Sequence, residues 1–129
     1  MKQLVIVCVV AFTGFAQEIV FQGTPTVRAF SNPDTDDRQQ LDASAAQKAR
    51  CVIVRQGKKY LWASRDNAPL TRIDGEQFTF FLHTGGLGYV KVYTGTRGAA
   101  TEKAEYSEHI TRGNWETITY WGKSLTTSN

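Results

Sequence analysis

The sequence predicts an all-β fold, a small antiparallel meander of about seven short strands arranged as a barrel or a sandwich. Three observations point there. From Cys51 onward, short runs rich in β-branched and aromatic residues follow one another, several with strict alternation. Turn residues separate these runs at roughly 8–12-residue intervals, the spacing of small sandwiches and barrels. No crossover helix intervenes after Cys51, which excludes a parallel α/β sheet and favours antiparallel neighbours.

In chain order, residues 1–16 read as a signal peptide. Lys2 gives a positive start, Leu4 to Phe12 is unbroken apolar sequence, and Gly14-Phe15-Ala16 sets small residues at −3 and −1, making Gln17 the first mature residue. A buried N-terminal strand is the alternative. The apolar run is far short of the about 20 residues a membrane-spanning helix needs. Cys8 lies inside the apolar run, after Val5-Ile6-Val7, so it does not read as a lipid-anchor cysteine.

Residues 17–50 read as a lead-in, either disordered or containing one short helix at 34–50. They hold Pro25 and Pro33, two of the chain's three prolines, and the polar run Ser31 to Gln40. Asp34 is a candidate N-cap, Asp36 and Asp37 suit a first turn, and Lys48 and Arg50 suit a last turn. Leu41, Ala45 and Ala49 would form only a narrow apolar stripe, marginal without a partner.

The β domain is expected over 51–122. Cys51 to Val54 is the first strand, Arg55-Gln56-Gly57 reverses the chain, and Tyr60-Leu61-Trp62 returns. Asp66 to Pro69 is a turn cluster, Leu70 to Ile73 a short strand, and Asp74-Gly75 the strongest hairpin signal. Glu76 to His83 alternates, with Phe78, Phe80 and Leu82 opposite Gln77, Thr79, Phe81 and His83. After Thr84 to Gly88, Tyr89 to Thr94 sets Val90 and Val92 against Tyr89, Lys91 and Tyr93. Gly95 to Thr101 reads as a loop, Glu102 to Thr111 as a strand with Ala104, Tyr106 and Ile110 inward, Arg112 to Asn114 as a turn, and Trp115 to Trp121 as the last strand. Residues 123–129 read as a polar tail.

Charge and cysteine content narrow the function. The formal net charge of +3 falls to +2 once Lys2 leaves with the leader, too balanced to indicate nucleic acid or an anionic membrane surface. Cleavage also removes Cys8 and leaves Cys51 as the sole thiol, so packing rather than a disulfide must hold the domain together. Opening an apolar strand, Cys51 reads as a small buried hydrophobe; a nucleophile or an intermolecular disulfide is the sharper alternative.

Signals for catalysis are weak. Neither His83 nor His109 has metal-ligand spacing, although a meeting of the two across strands with Glu105 or Glu108 would suit a metal. Glu105, Ser107 and His109 share one face of a strand. Positions two apart are roughly 7 Å apart at the backbone, which makes a relay awkward and a solvated face the better reading. Gly85-Gly86-Leu87-Gly88 and the 95–101 segment lack the lysine and following helix of a phosphate loop. No catalytic residues, metal or cofactor are assigned.

The aromatics are the better lead. Tyr60 and Trp62 share one strand face, and Tyr89 and Tyr93 flank Lys91 on another. Turned outward beside Arg55, Lys58, Lys59 and Arg65, they would suit stacking on a sugar or docking a partner; turned inward, they are core. Tyr60, Trp62, Tyr89, Tyr93 and Arg65 are therefore the candidate ligand-binding residues. Small exported β-barrel inhibitors of cell-wall hydrolases are similar in size and class, but their loop motifs and stabilising disulfide are not visible here. The expectation is an exported, periplasmic or extracellular, non-enzymatic β domain with a binding or structural role and a protein or glycan partner. A carbohydrate- or peptide-binding module with an aromatic face is the alternative, and a small hydrolase using His83, His109 and Glu108 comes third.

Overall fold

The structure, a computed structural model, describes residues 16–95, 104–113 and 115–125. The expected leader (Ala16 excepted), much of the Gly95 to Thr101 loop and the end of the tail lie outside the described residues. Nine strands are present among them: β1 (Gln17–Ser31), β2 (Asp36–Gln40), β3 (Cys51–Gln56), β4 (Lys59–Trp62), β5 (Ala68–Asp74), β6 (Phe78–His83), β7 (Gly88–Tyr93), β8 (Tyr106–Thr111) and β9 (Thr117–Ser124). One short helix, α1 (Ala43–Lys48), joins β2 to β3.

The all-β antiparallel meander is present, with slightly more strands than the seven expected. From β3 to β9 each strand pairs antiparallel with the next, and β9 pairs with β1 to close an eight-stranded barrel. Strand β2 is the ninth, added beside the second half of β1. Closure leaves the barrel strands few unpaired edges.

The lead-in reading of 17–50 is corrected here. Gln17–Ser31 is the longest strand described, and it completes the barrel. Its first half pairs with β3 from Gln17 to Gly23, and its second half pairs with β9 from Gly23 to Ser31. Register shifts between Ile19 and Phe21 and between Pro25 and Val27 let it bend from one neighbour to the next. Phe21, Gly23, Pro25, Val27 and Ala29 alternate as buried positions, but glycine, proline and alanine give little hydrophobic signal. Pro25 is tolerated because it lies at a register shift. The helix is also shorter than 34–50. It begins at Ala43, where Asp42 accepts the Ala45 N–H at 2.8 Å, because Asp36–Gln40 is taken up as strand β2. Strand β9 likewise runs to Ser124, into the expected tail.

The chain reverses at Gly57 and after Asp74 as read, but Arg55 and Gln56 extend β3, and Ala68 and Pro69 open β5 instead of turning. Gln56 pairs with Lys59 around Gly57, whose φ of 64° is left-handed. The Asp74-Gly75 reversal spans three residues, closed by the Gly75 N–H donating to the Phe78 carbonyl at 2.8 Å.

The barrel is packed inside. Phe21, Ile53, Trp62, Leu70, Phe81, Val90, Tyr106 and Tyr120 belong to one cluster, with Leu41 and Ala49 at the ends of the α1 segment packed against it. At its centre lies Glu108, fully buried. Trp62 Nε1 donates to it at 2.8 Å, and Arg65 donates through Nε at 3.1 Å and Nη2 at 3.2 Å. Strands β4 and β8 are four places apart in the eight-strand ring, so these bonds span its full width. Arg65 reaches in from a 3-10 turn at Ala63–Arg65, which ends on Asp66 and Asn67 at φ 56° and 58°. Its guanidinium also lies 5.6 Å from the centre of the Tyr120 ring. Burial raises the Glu108 pKa, against the opposing pull of Arg65 and then Trp62. Cys51 is wholly buried beside this group; burial and then the Glu108 charge push its thiol up. That placement suits a small hydrophobe and leaves no exposed thiolate.

Candidate functional site: an aromatic groove on the outer wall

The outer face of β6 to β9 is built by alternation. In β7, Val90 is sealed inside while Tyr89, Lys91 and Tyr93 point out; in β8, Tyr106, Glu108 and Ile110 point in while Ser107 and His109 point out. In β9, Ile118 and Tyr120 are inside and Thr119 and Trp121 outside. Register then lines up two outer rows. One runs Phe80, Lys91, Ser107, Trp121; the other runs Leu82, Tyr89, His109, Thr119.

At the first row the wall carries a groove of about 200 Å³, lined by Phe78, Lys91, Tyr93, Ala104, Glu105, Tyr106, Ser107 and Trp121. Phe78 and Tyr93 meet edge to face at 5.7 Å between ring centres, and the Lys91 ammonium sits 4.7 Å from the Phe78 ring centre. Arg38, brought by β2, stacks on Trp121 at 4.9 Å. Tyr93 Oη is buried without a hydrogen-bond partner among the described residues, and Glu105 accepts the Ser124 N–H at 2.9 Å.

The second row carries a polar chain. Ser107 Oγ lies 3.0 Å from His109 Nε2, and Thr119 Oγ1 lies 3.3 Å from Nδ1. Tyr89 stacks on the imidazole at 4.4 Å with ring planes 24° apart. Burial, and then the Lys91 charge, lowers the His109 pKa, so the ring is neutral at pH 7. The serine–histidine contact corrects the expectation that neighbours two apart on a strand would stand clear of one another; the side chains lean together. Glu105, the carboxylate of that face, is engaged by Ser124 instead, and the imidazole's other partner is a hydroxyl.

The sequence-derived residues separate. Tyr89 and Tyr93 lie on this outer wall. Trp62 is fully buried and Tyr60 points inward on the same strand, half-buried, with its hydroxyl 3.2 Å from Arg72 Nη1. Arg65 is committed to Glu108. The single outward platform joining Tyr60 and Trp62 to Tyr89 and Tyr93 does not form, because inward alternation on β4 puts the aromatics, not Leu61, toward the core. His83 and His109 do not converge either. His83 accepts the Leu87 N–H at 3.0 Å at a strand end, on the same face as buried Phe81, whereas His109 faces outward and Glu108 inward. Among the described residues, no group of three or more His, Cys, Asp and Glu could hold a metal ion.

Sequence reasoning missed Phe78, Ser107 and Trp121 as partners of Tyr93. Outward parity could be extended from Tyr89, Lys91 and Tyr93 to the neighbouring strands, but register decides which residues then stand beside Tyr93. A second, smaller recess of about 110 Å³ lies at one barrel mouth, among Val20, Phe21, Arg72, Thr79, Phe81, Val92 and Thr94.

No protein-family model matches the chain, and neither a curated protein nor a solved structure matches it.

Proposed function

We propose that this chain is an exported, non-catalytic β-barrel protein that binds a ligand or partner through the outer groove on β6 to β9. The observation that carries the reading is the groove itself: Phe78, Tyr93 and Trp121 surround Lys91, Glu105 and Ser107 on the outside of a barrel whose interior is filled. Flat rings beside a few convergent polar groups supply contact area and orientation together. Export rests on the leader over residues 1–16. Near-balanced charge favours a glycan or a protein over nucleic acid.

The test is to probe the purified protein, expressed from the full chain, against glycan and peptide arrays beside Lys91→Ala and Tyr93→Ala variants of unchanged far-UV circular dichroism. Binding that both variants weaken supports the reading. Binding indifferent to both, or none, refutes it.

A further inference from the structure

We infer that the groove takes a neutral pyranose ring of a glycan, an inference that rests on the groove being the binding surface. Strands β7 and β8 are each paired on both edges, to β6 and β8 and to β7 and β9. Their backbone donors and acceptors are used in the ladder, so an extended peptide cannot dock here by strand addition, the mode that lets a sheet read main chain. Recognition falls to side chains, and these suit a compact ring with its own hydroxyls.

Lys91 covers one face of Phe78 and Arg38 one face of Trp121; the electron-rich ring surface they leave, with that of Tyr93, attracts the weakly positive C–H face of a pyranose. Around them stand the Lys91 ammonium as donor and the Glu105 carboxylate, one oxygen of which accepts the Ser124 N–H, as acceptor. Tyr93 Oη is buried and has no partner among the described residues. Among the lining residues Lys91 and Glu105 balance one another, with Arg38 held against Trp121, a pairing that favours a neutral polyol over a charged ligand. The volume of about 200 Å³ lies below the about 300–1,000 Å³ of pockets for drug-sized molecules, a size for one ring at a time.

The three tryptophans allow a direct test, because each gives its own indole N–H resonance. The ¹⁵N-labelled full chain would be titrated, to millimolar concentration, with methyl glucoside, galactoside, mannoside and N-acetylglucosaminide, and separately with a Gly-Ser-Gly tripeptide. A saturable shift of the Trp121 resonance by a pyranoside is expected, with Trp62, bonded to Glu108, and exposed Trp115 unmoved. Lys91→Ala should weaken it about tenfold, the loss of one hydrogen bond from a charged donor. If the peptide moves Trp121 and no pyranoside does, the sugar inference falls while the groove reading stands. If neither moves Trp121, both fall.

Discussion

At the scale of single residues, Glu108 shows how a buried charge organises a fold. Removing Arg65 would leave its carboxylate in the barrel with the Trp62 N–H and the Cys51 thiol but no cation, so Arg65→Ala should cost about 3 kcal/mol, toward the low end for breaking a buried pair because Arg65 is partly exposed. Burial raises the Glu108 pKa, so the folded carboxyl holds its proton more tightly than the unfolded one. Its stabilising contribution is complete below the ordinary glutamate range, near about 4.3, and is lost as pH rises through the raised folded value. Urea unfolding across this window should show that slope in the wild type and its loss in Glu108→Gln. His109 offers a second titration. Burial lowers its pKa and Lys91 lowers it further, so Lys91→Met should raise it, read from the pH dependence of the imidazole carbon resonance.

At the scale of elements, close approach decides what the strands can carry. Gly122 faces β1 so closely that a Cβ there would stand 2.1 Å from the Thr24 carbonyl oxygen and 2.5 Å from Pro25 Cα. Gly122→Ala should cost about 3 kcal/mol, the upper end for overpacking, and lower Tm by roughly 10 °C or more. Gly113→Ala, with open space around it, should change Tm little. The strands from Cys51 onward were legible because β-branched and aromatic residues alternate there between true turn signals. Strand β1 was not, because its inward positions include Gly23, Pro25 and Ala29, which carry little hydrophobic signal; Gly23 leaves the space that the Tyr106 ring fills. Within the site, the outward parity of Tyr89, Lys91 and Tyr93 could be read from β7 alone. Which residues of β8 and β9 stand beside them depends on register, which no single strand contains. The inward turn of Trp62 was open to the sequence as the core reading of a bulky aromatic, but its partner, a carboxylate forty-six positions away, was not.

At the scale of the whole molecule, closure depends on β1 serving both β3 and β9. A chain starting at Gly23 would leave β3 with one unpaired edge, because nearly all its partners lie in Gln17 to Gln22. Such a truncation should lose the near-UV circular dichroism of the packed aromatics and its cooperative thermal transition. On the proposed reading, a closed, filled barrel leaves its outer wall for binding. The most direct measurement of that claim is a backbone amide shift map of the ¹⁵N-labelled full chain with the tightest-binding array ligand. The expected result is a contiguous patch over Lys91, Tyr93, Ser107 and Trp121, with Ile53 and Phe81 unmoved. Shifts centred instead on Phe21, Thr79, Phe81 and Val92 would put the ligand in the barrel mouth and contradict it.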